Sequence, residues 1–140
     1  NQFKRLDTLM RQRNQNRNII IKTLVSSKKW NNQFKFINIP NNFKPSWMGF
    51  PILLSKRFKN KKKRFVNYLD SKGIETRPII SGNFLNQPAA KLYKLNKEKR
   101  SYPNTQAVQE LGFLIGLHTK KIDEIKLKLI HDAFFKIDSI

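Results

Sequence analysis

Between Gly73 and Pro88 the chain reads GIETRPIISGNFLNQP, and this stretch gathers the side chains best suited to hold a polar ligand. Ser81, Gly82 and Asn83 let the backbone turn sharply and leave side-chain donors pointing into space. Arg77 stands just before them in a run of strand-forming residues, Ile74, Thr76, Ile79 and Ile80, and reads as a buried arginine. Pro78 excludes a central, fully laddered strand there. The chemistry on offer is recognition: a strand that delivers Arg77 and a Ser-Gly-Asn loop to one place makes a ligand-facing edge. The plainer alternative is an ordinary helix–strand–turn connection.

Bond-breaking chemistry is harder to find. The chain has no G-x-G-x-x-G, no Walker loop, no G-x-S-x-G and no H-E-x-x-H. Its nine acids are scattered and suggest no carboxylate pair. The two histidines, His118 and His131, lack ligand-like spacing, so no structural zinc site is expected. Zero cysteines exclude disulfides and thiolate chemistry and make the reducing cytoplasm the default compartment. No apolar run approaches the roughly 20 residues of a membrane helix, and neither end carries a signal peptide or lipidation motif. Asn1 is not an initiator methionine and a helical pattern already runs at Phe3, so the sequence reads as a piece of something longer.

The elements that must position the Gly73–Pro88 stretch are legible from periodicity. Phe3, Leu6, Leu9, Met10, Ile20, Leu24 and Val25 predict one long helix over about 2–25. Its polar middle, Arg11 to Asn18, is expected to be solvated or packed against a missing partner. Gln33–Ile39 predicts a short strand. Trp47–Ser55 predicts a stronger one, with Met48, Phe50, Ile52 and Leu54 on one face and Gly49 and Pro51 on the other, which suggests an edge or a close backbone approach. A helix follows, capped by Asn60, with Phe65, Val66 and Leu69 inward and Lys61, Lys62, Lys63 and Arg64 mostly on the open face. Gly73 ends it in the left-handed conformation. A short helix is expected within Gln87–Leu95, a charged loop over Asn96–Ser101, and a helix from Pro103, with Ala107, Val108 and Leu111 as its apolar face, to a stop at Gly112. Phe113–Leu117 predicts a buried strand with His118 at its end. The last helix is expected over about Lys120–Ile137, capped by Thr119, with Ile122, Ile125, Leu129, Ile130, Phe134 and Ile137 buried. Such a tally fits an α+β domain, helices on one face of a small, mostly antiparallel sheet.

Charge gives the second function class. Twenty-nine Lys and Arg against nine Asp and Glu leave +20, a balance that favours polyanions through salt-sensitive phosphate contacts. A small basic nucleic-acid-binding module, with Lys61–Arg64 as its sharpest cue, is therefore the alternative reading. The basic residues run from Lys4 to Lys136, however, in a chain rich in Asn, Lys, Ile and Phe. Compositional drift in an A/T-rich genome suffices to explain them, so a nucleic-acid partner is not invoked.

The order and spacing of several motifs say more. N-Q-F-K-R-L-D with R-Q-R-N, then S-W-M-G-F-P, G-I-E-T-R-P-I-I-S-G-N-F, P-N-T, G-F-L-I-G-L-H and I-D-E-I closely resemble the C-terminal part of the DegT/StrS-type, vitamin-B6-dependent sugar aminotransferases. Within that family the R-P-I-x-x-G-N-F form is most similar to the nucleotide-sugar 3-dehydratases. The resemblance covers Gln2 to Phe135, with Gln87–Arg100 matching only loosely. It implies a homodimeric fold-type-I enzyme of deoxysugar or surface-polysaccharide synthesis, acting on a nucleotide sugar with glutamate as amino donor. Residues 1–25 would be the helix leading from a large domain and 26–140 the small C-terminal domain. The large domain would hold pyridoxal or pyridoxamine phosphate (PLP or PMP), through a Schiff-base lysine or the histidine that replaces it. No cofactor and no catalytic residue is then expected within these residues, nor activity from them alone. The resemblance makes Arg77 the contact for a carboxylate or the substrate's anionic part. It makes Ser81, Gly82 and Asn83 the wall facing sugar hydroxyls, and places His118 in the family's G-x-x-x-G-x-H segment as a substrate contact, with a structural role at the strand end as the alternative. Trp47 and Phe50 read as core.

Overall fold

The computed structural model describes residues 3–95 and 102–140, so the charged stretch Asn96–Ser101 lies outside it. After a single 3-10 turn, helix α1 runs Leu6–Val25. Its polar middle is neither solvated nor left waiting for a partner: Asn16 and Arg17 are buried against the chain's own loops. The Asn16 amide donates to the carbonyls of His118 (2.7 Å) and Lys120 (2.8 Å), while its oxygen accepts from the Ile122 N–H at 3.3 Å.

Strands β1 (Phe34–Phe36), β2 (Gly49–Leu54), β3 (Thr76–Arg77) and β4 (Gly112–Gly116) form one antiparallel sheet in the order β1-β2-β4-β3. The register Phe36↔Ile52↔Phe113 and Phe50↔Ile115 collects Phe34, Phe36, Phe50, Ile52, Leu54, Phe113 and Ile115 on one face, because strand side chains alternate. Against it pack Ile20 and Leu24 of α1, Phe65 and Leu69 of α2 (Lys62–Ser71), and Ala133 and Phe134 of α5 (Glu124–Phe135). Helices on one face of a small antiparallel sheet are what the periodicity requires. Lys35, Gly49, Pro51, Leu53, Leu114 and Arg77 alternate onto the other face.

Several local expectations give way to longer-range partners. Pro51 lies on an interior strand and not an edge. The β1 ladder stops at Phe36↔Ile52, one residue short of Pro51, which leaves one of its flanks open and makes a proline tolerable. Met48 precedes β2 and is exposed. Asn60 does not cap α2: it sits inside a 3-10 stretch, Lys56–Lys61, that runs straight into the helix. α5 begins at Glu124, capped by Asp123, whose carboxylate accepts from the Lys126 N–H at 2.8 Å. It does not begin at Lys120 under Thr119, because the Lys120 N–H is taken by His118 Nδ1 and the Ile122 N–H by Asn16. With that start the inward stripe is Leu127, Ile130, Phe134 and Ile137, and Ile125 and Leu129 turn outward. α3 (Pro88–Leu92) and α4 (Pro103–Leu111) appear where proline opens a helix. Among the described residues no helix is long and apolar enough to cross a membrane.

Candidate functional site

Gly73 closes α2 at φ +76°, its N–H donating to Asp70 O while the Ile74 N–H reaches Leu69 O, both at 3.0 Å. The Asp70 carboxylate then catches the returning chain, accepting from the Thr76 N–H (2.7 Å) and hydroxyl (3.1 Å). Thr76 and Arg77 pair with Ile115 and Leu114 on the sheet edge. The strand ends there and does not continue to Ile80, since Pro78 has no N–H to donate. Ile80, at φ +45°, is already in a turn. A β-branched residue in that region is strained, and strain of this kind gathers where a loop is shaped for contact. Gly82, at φ +62°, completes the turn by donating to Ile79 O at 3.0 Å.

Arg77 is exposed and not buried. Among the described residues its guanidinium meets Glu75 alone, Nη2 to Oε1 at 2.7 Å, on the sheet face opposite the core. Its neighbours on that face, Leu114 and Pro51, are apolar and short, so nothing encloses the long side chain. Ser81 is exposed and its carbonyl accepts from Gln87 Nε2 at 2.9 Å. Asn83, expected to point outward, is turned in. Its N–H donates to Gln109 Oε1 and its side-chain amide to Gln106 Oε1, both 3.0 Å, while its oxygen caps the Leu85 N–H. Asn86 Nδ2 bonds the same two oxygens, at 3.0 Å to Gln106 and 2.9 Å to Gln109.

This carboxamide lattice escaped the sequence reading, although Gln106 and Gln109 stand at i,i+3 on one face of the helix opened by Pro103, where such side chains are neighbours. From Gln106 it continues to Glu110 (2.8 Å) and from Glu110 to Lys59 (2.8 Å). The Gln106 hydrogen bond and then Lys59 hold the Glu110 carboxyl below its usual range. Of the Lys61–Arg64 run, two members are engaged within the fold: Lys61 reaches Ile137 O, and Lys62 donates to Gln109 O at 2.7 Å, its pKa lowered by burial. Lys63 and Arg64 stay on the open face.

The loop therefore separates two clefts. Ser81 and Gly82 line one of about 290 Å³ with Lys62 and Gln87. Asn83 lines another of about 670 Å³ with Lys56, Lys59, Tyr102, Gln106 and Glu110. His118 is not brought to either. It follows β4 at the Gly73 end of the β3–β4 ladder, whereas the Ser-Gly-Asn turn lies at the Gly112 end. The His118 ring instead holds the Lys120 N–H at 2.9 Å and lines an apolar cleft with Ile74, Glu75 and Leu117.

The turn tolerates no side chain at Gly82. A Cβ there would stand 2.9 Å from Gln109 Cβ, and φ +62° adds the left-handed penalty of about 1–2 kcal/mol. Gly82→Ala is expected to destabilise by about 2 kcal/mol, with faster hydrogen exchange at the Asn83 and Leu85 amides. Unchanged exchange there would show that the turn is not set by this contact.

Among the amines and carboxylates that share a cleft, Lys59 is ion-paired with Glu110, while Lys126 and Glu75 have Asp123 and Arg77 as their partners.

Comparison with known proteins gives the geometry its context. The family described as DegT/DnrJ/EryC1/StrS aminotransferase matches residues 1–132. GDP-4-keto-6-deoxy-D-mannose 3-dehydratase of Escherichia coli O55:H7 is 33% identical over 81 residues, 57% of this chain and 21% of that protein. Lipopolysaccharide biosynthesis protein RfbH of Salmonella typhimurium is 31% identical over 101 residues, 67% of this chain and 22% of its own. The chain thus spans about a fifth of the length of the curated relatives it matches. The structure of E. coli GDP-4-keto-6-deoxy-D-mannose-3-dehydratase with bound hydrated PLP aligns over 94% of this chain and 32% of its own, with TM-score 0.75 at 22% identity. At that identity the likeness speaks for the fold alone.

Proposed function

The chain belongs to the DegT/DnrJ/EryC1/StrS aminotransferase family, and on that premise we propose that it forms the small, substrate-facing domain of a nucleotide-sugar-modifying enzyme. The enzyme is a 4-keto-6-deoxyhexose 3-dehydratase or sugar aminotransferase that uses pyridoxal or pyridoxamine phosphate in deoxysugar or surface-polysaccharide synthesis. The observation that carries the reading is the family match over residues 1–132, nearly the whole chain. The cofactor-holding residues are assigned to the roughly two thirds of the solved relative's length that this chain does not span. Residues 1–25 would lead from that part and 26–140 would form the small domain. Homodimer formation, glutamate as donor and a cytoplasmic setting belong to the same proposal.

The chain's own contribution is to bind and orient. Arg77 is itself exposed on the sheet face opposite the core, with one exposed ion-pair partner among the described residues, and exposed pairs of this kind are worth only about 0–1 kcal/mol. A carboxylate or phosphate could therefore displace Glu75 at little cost and take both prongs of the fork. Ser81 and the backbone of the Gly82 turn form the wall beside it, while Asn83 acts by fixing that turn through Gln106 and Gln109.

The test is turnover by the protein that carries this chain, supplied with GDP-4-keto-6-deoxymannose, glutamate and pyridoxal phosphate. Loss of the 3-hydroxyl identifies the dehydratase, an amino sugar identifies the transaminase, and neither product from a cofactor-loaded enzyme refutes the reading. In the active protein Arg77→Lys keeps the charge and loses the fork, so kcat/KM is expected to fall by roughly 1–3 kcal/mol. Unchanged kinetics would remove Arg77 from the site.

A further inference from the structure

Arg17 is a buried cation with no anionic partner among the described residues. It is 6% exposed, and its guanidinium lies over the rings of Trp47 (4.9 Å) and Phe50 (5.4 Å). One Nη donates to Ile37 O and the other reaches Asn18 Oδ1 only at 3.4 Å, while Nε meets no acceptor. None of the ion pairs among the described residues includes it. Burial pushes its pKa down, the sign of a charge that has lost water without gaining a partner. Leaving a charge so is expensive unless something completes the site.

The same side chain lines a cleft of about 590 Å³ between the C-terminal half of α1 and the segment after β1. Lys22, Asn18 and Asn38 line it too, with Ile21 and Phe36 among its apolar walls, and no acid is among its described lining residues. Two cations, one of them desolvated and planar, with amide donors beside them suit a doubly charged tetrahedral anion better than a singly charged carboxylate. We propose that this cleft is a phosphate-binding site, taking the phosphate group of a small molecule on Arg17 and Lys22. The site shares no residue with the Arg77–Asn83 loop, so it stands or falls independently of the function proposed above.

The structural alternative is that Arg17 merely ties α1 to Ile37 and the aromatic rings. Titration separates the two. The protein that carries this chain is titrated with inorganic phosphate and with phenyl phosphate at constant ionic strength. The readouts are calorimetry and tryptophan fluorescence, since Trp47 lies against Arg17. Saturable binding is expected in the parent and in Lys63→Gln, a surface control on α2, and about tenfold weaker binding in Lys22→Gln, as loss of one charge-assisted contact implies. Lys22 is exposed, so its variant keeps the fold even where Arg17→Gln does not. Tighter binding of phenyl phosphate identifies an organic phosphate using the Ile21 and Phe36 walls, and equal binding identifies free phosphate; both uphold the site. A response that never saturates, or one equal in Lys22→Gln and Lys63→Gln, would reflect the diffuse +20 charge and overturn the proposal.

Discussion

Asn16→Ala is expected to lower the stability of the fold by about 3–5 kcal/mol, since leaving each buried polar group unsatisfied costs about 1–3 kcal/mol. The amide serves three backbone groups at once, the carbonyls of His118 and Lys120 and the N–H of Ile122, and is itself 1% exposed. All three belong to the connection between β4 and α5, which has no ladder or helix of its own to satisfy them. Losing the clamp therefore frees the segment that carries His118 and delays the start of α5. Asn16→Asp is the sharper variant. It is nearly isosteric, yet it turns a carboxylate toward two carbonyls that need donors, so it should cost at least as much as alanine near neutral pH. Urea unfolding followed by circular dichroism measures both. A loss below about 1 kcal/mol for Asn16→Ala would mean that water replaces the amide and that the connection is held elsewhere.

How much of this could be read from the residues follows the range of each interaction. Gly73 as a helix stop, Pro103 as a helix start and Phe113–Leu117 as a buried strand rest on local sterics and alternation, and all three hold. The α+β architecture holds for the same reason, because the aromatic face of the sheet is written in period two. What failed depended on residues far away in sequence. Arg77 looked buried because it sits among Ile and Pro, but its exposure is decided by how little of Leu114 and Pro51 rises beside it on the outer face. Asn83 looked like a free donor in a turn, and only Gln106 and Gln109, more than twenty residues on, turn it inward. The polar middle of α1 looked solvated because its partners, Ile37, Trp47, His118 and Lys120, lie on three other segments. Site chemistry was the least legible part, since it depends on which polar groups find each other.

Phe134→Ala should be the most damaging change to the core, by about 3–5 kcal/mol, the range for deleting a fully buried Phe. The ring is 0% exposed and lies where α5 meets both the sheet and α2, with centroids 5.1 Å from Phe34, 6.0 Å from Phe65 and 6.4 Å from Phe113. Phe65 meets both Phe113 and Phe134 nearly edge-on, at 83° and 88°, the geometry that adds attraction beyond buried area. Those rings close on one another, so a void at Phe134 has few flexible side chains around it that could swing in. Residual cavity volume is what drives the cost toward the upper end. Phe134→Leu separates the contributions: it keeps most of the apolar area while losing the edge-to-face contact, and a loss of about 1.5 kcal/mol is expected. The consequence reaches the site through β4. Phe113 packs under Phe134, and its neighbour Leu114 pairs with Arg77 on the opposite face, so slack in the core shifts the strand that presents the guanidinium. If Phe134→Leu matched Phe134→Ala in urea, ring geometry rather than volume would be what holds α5 on the sheet.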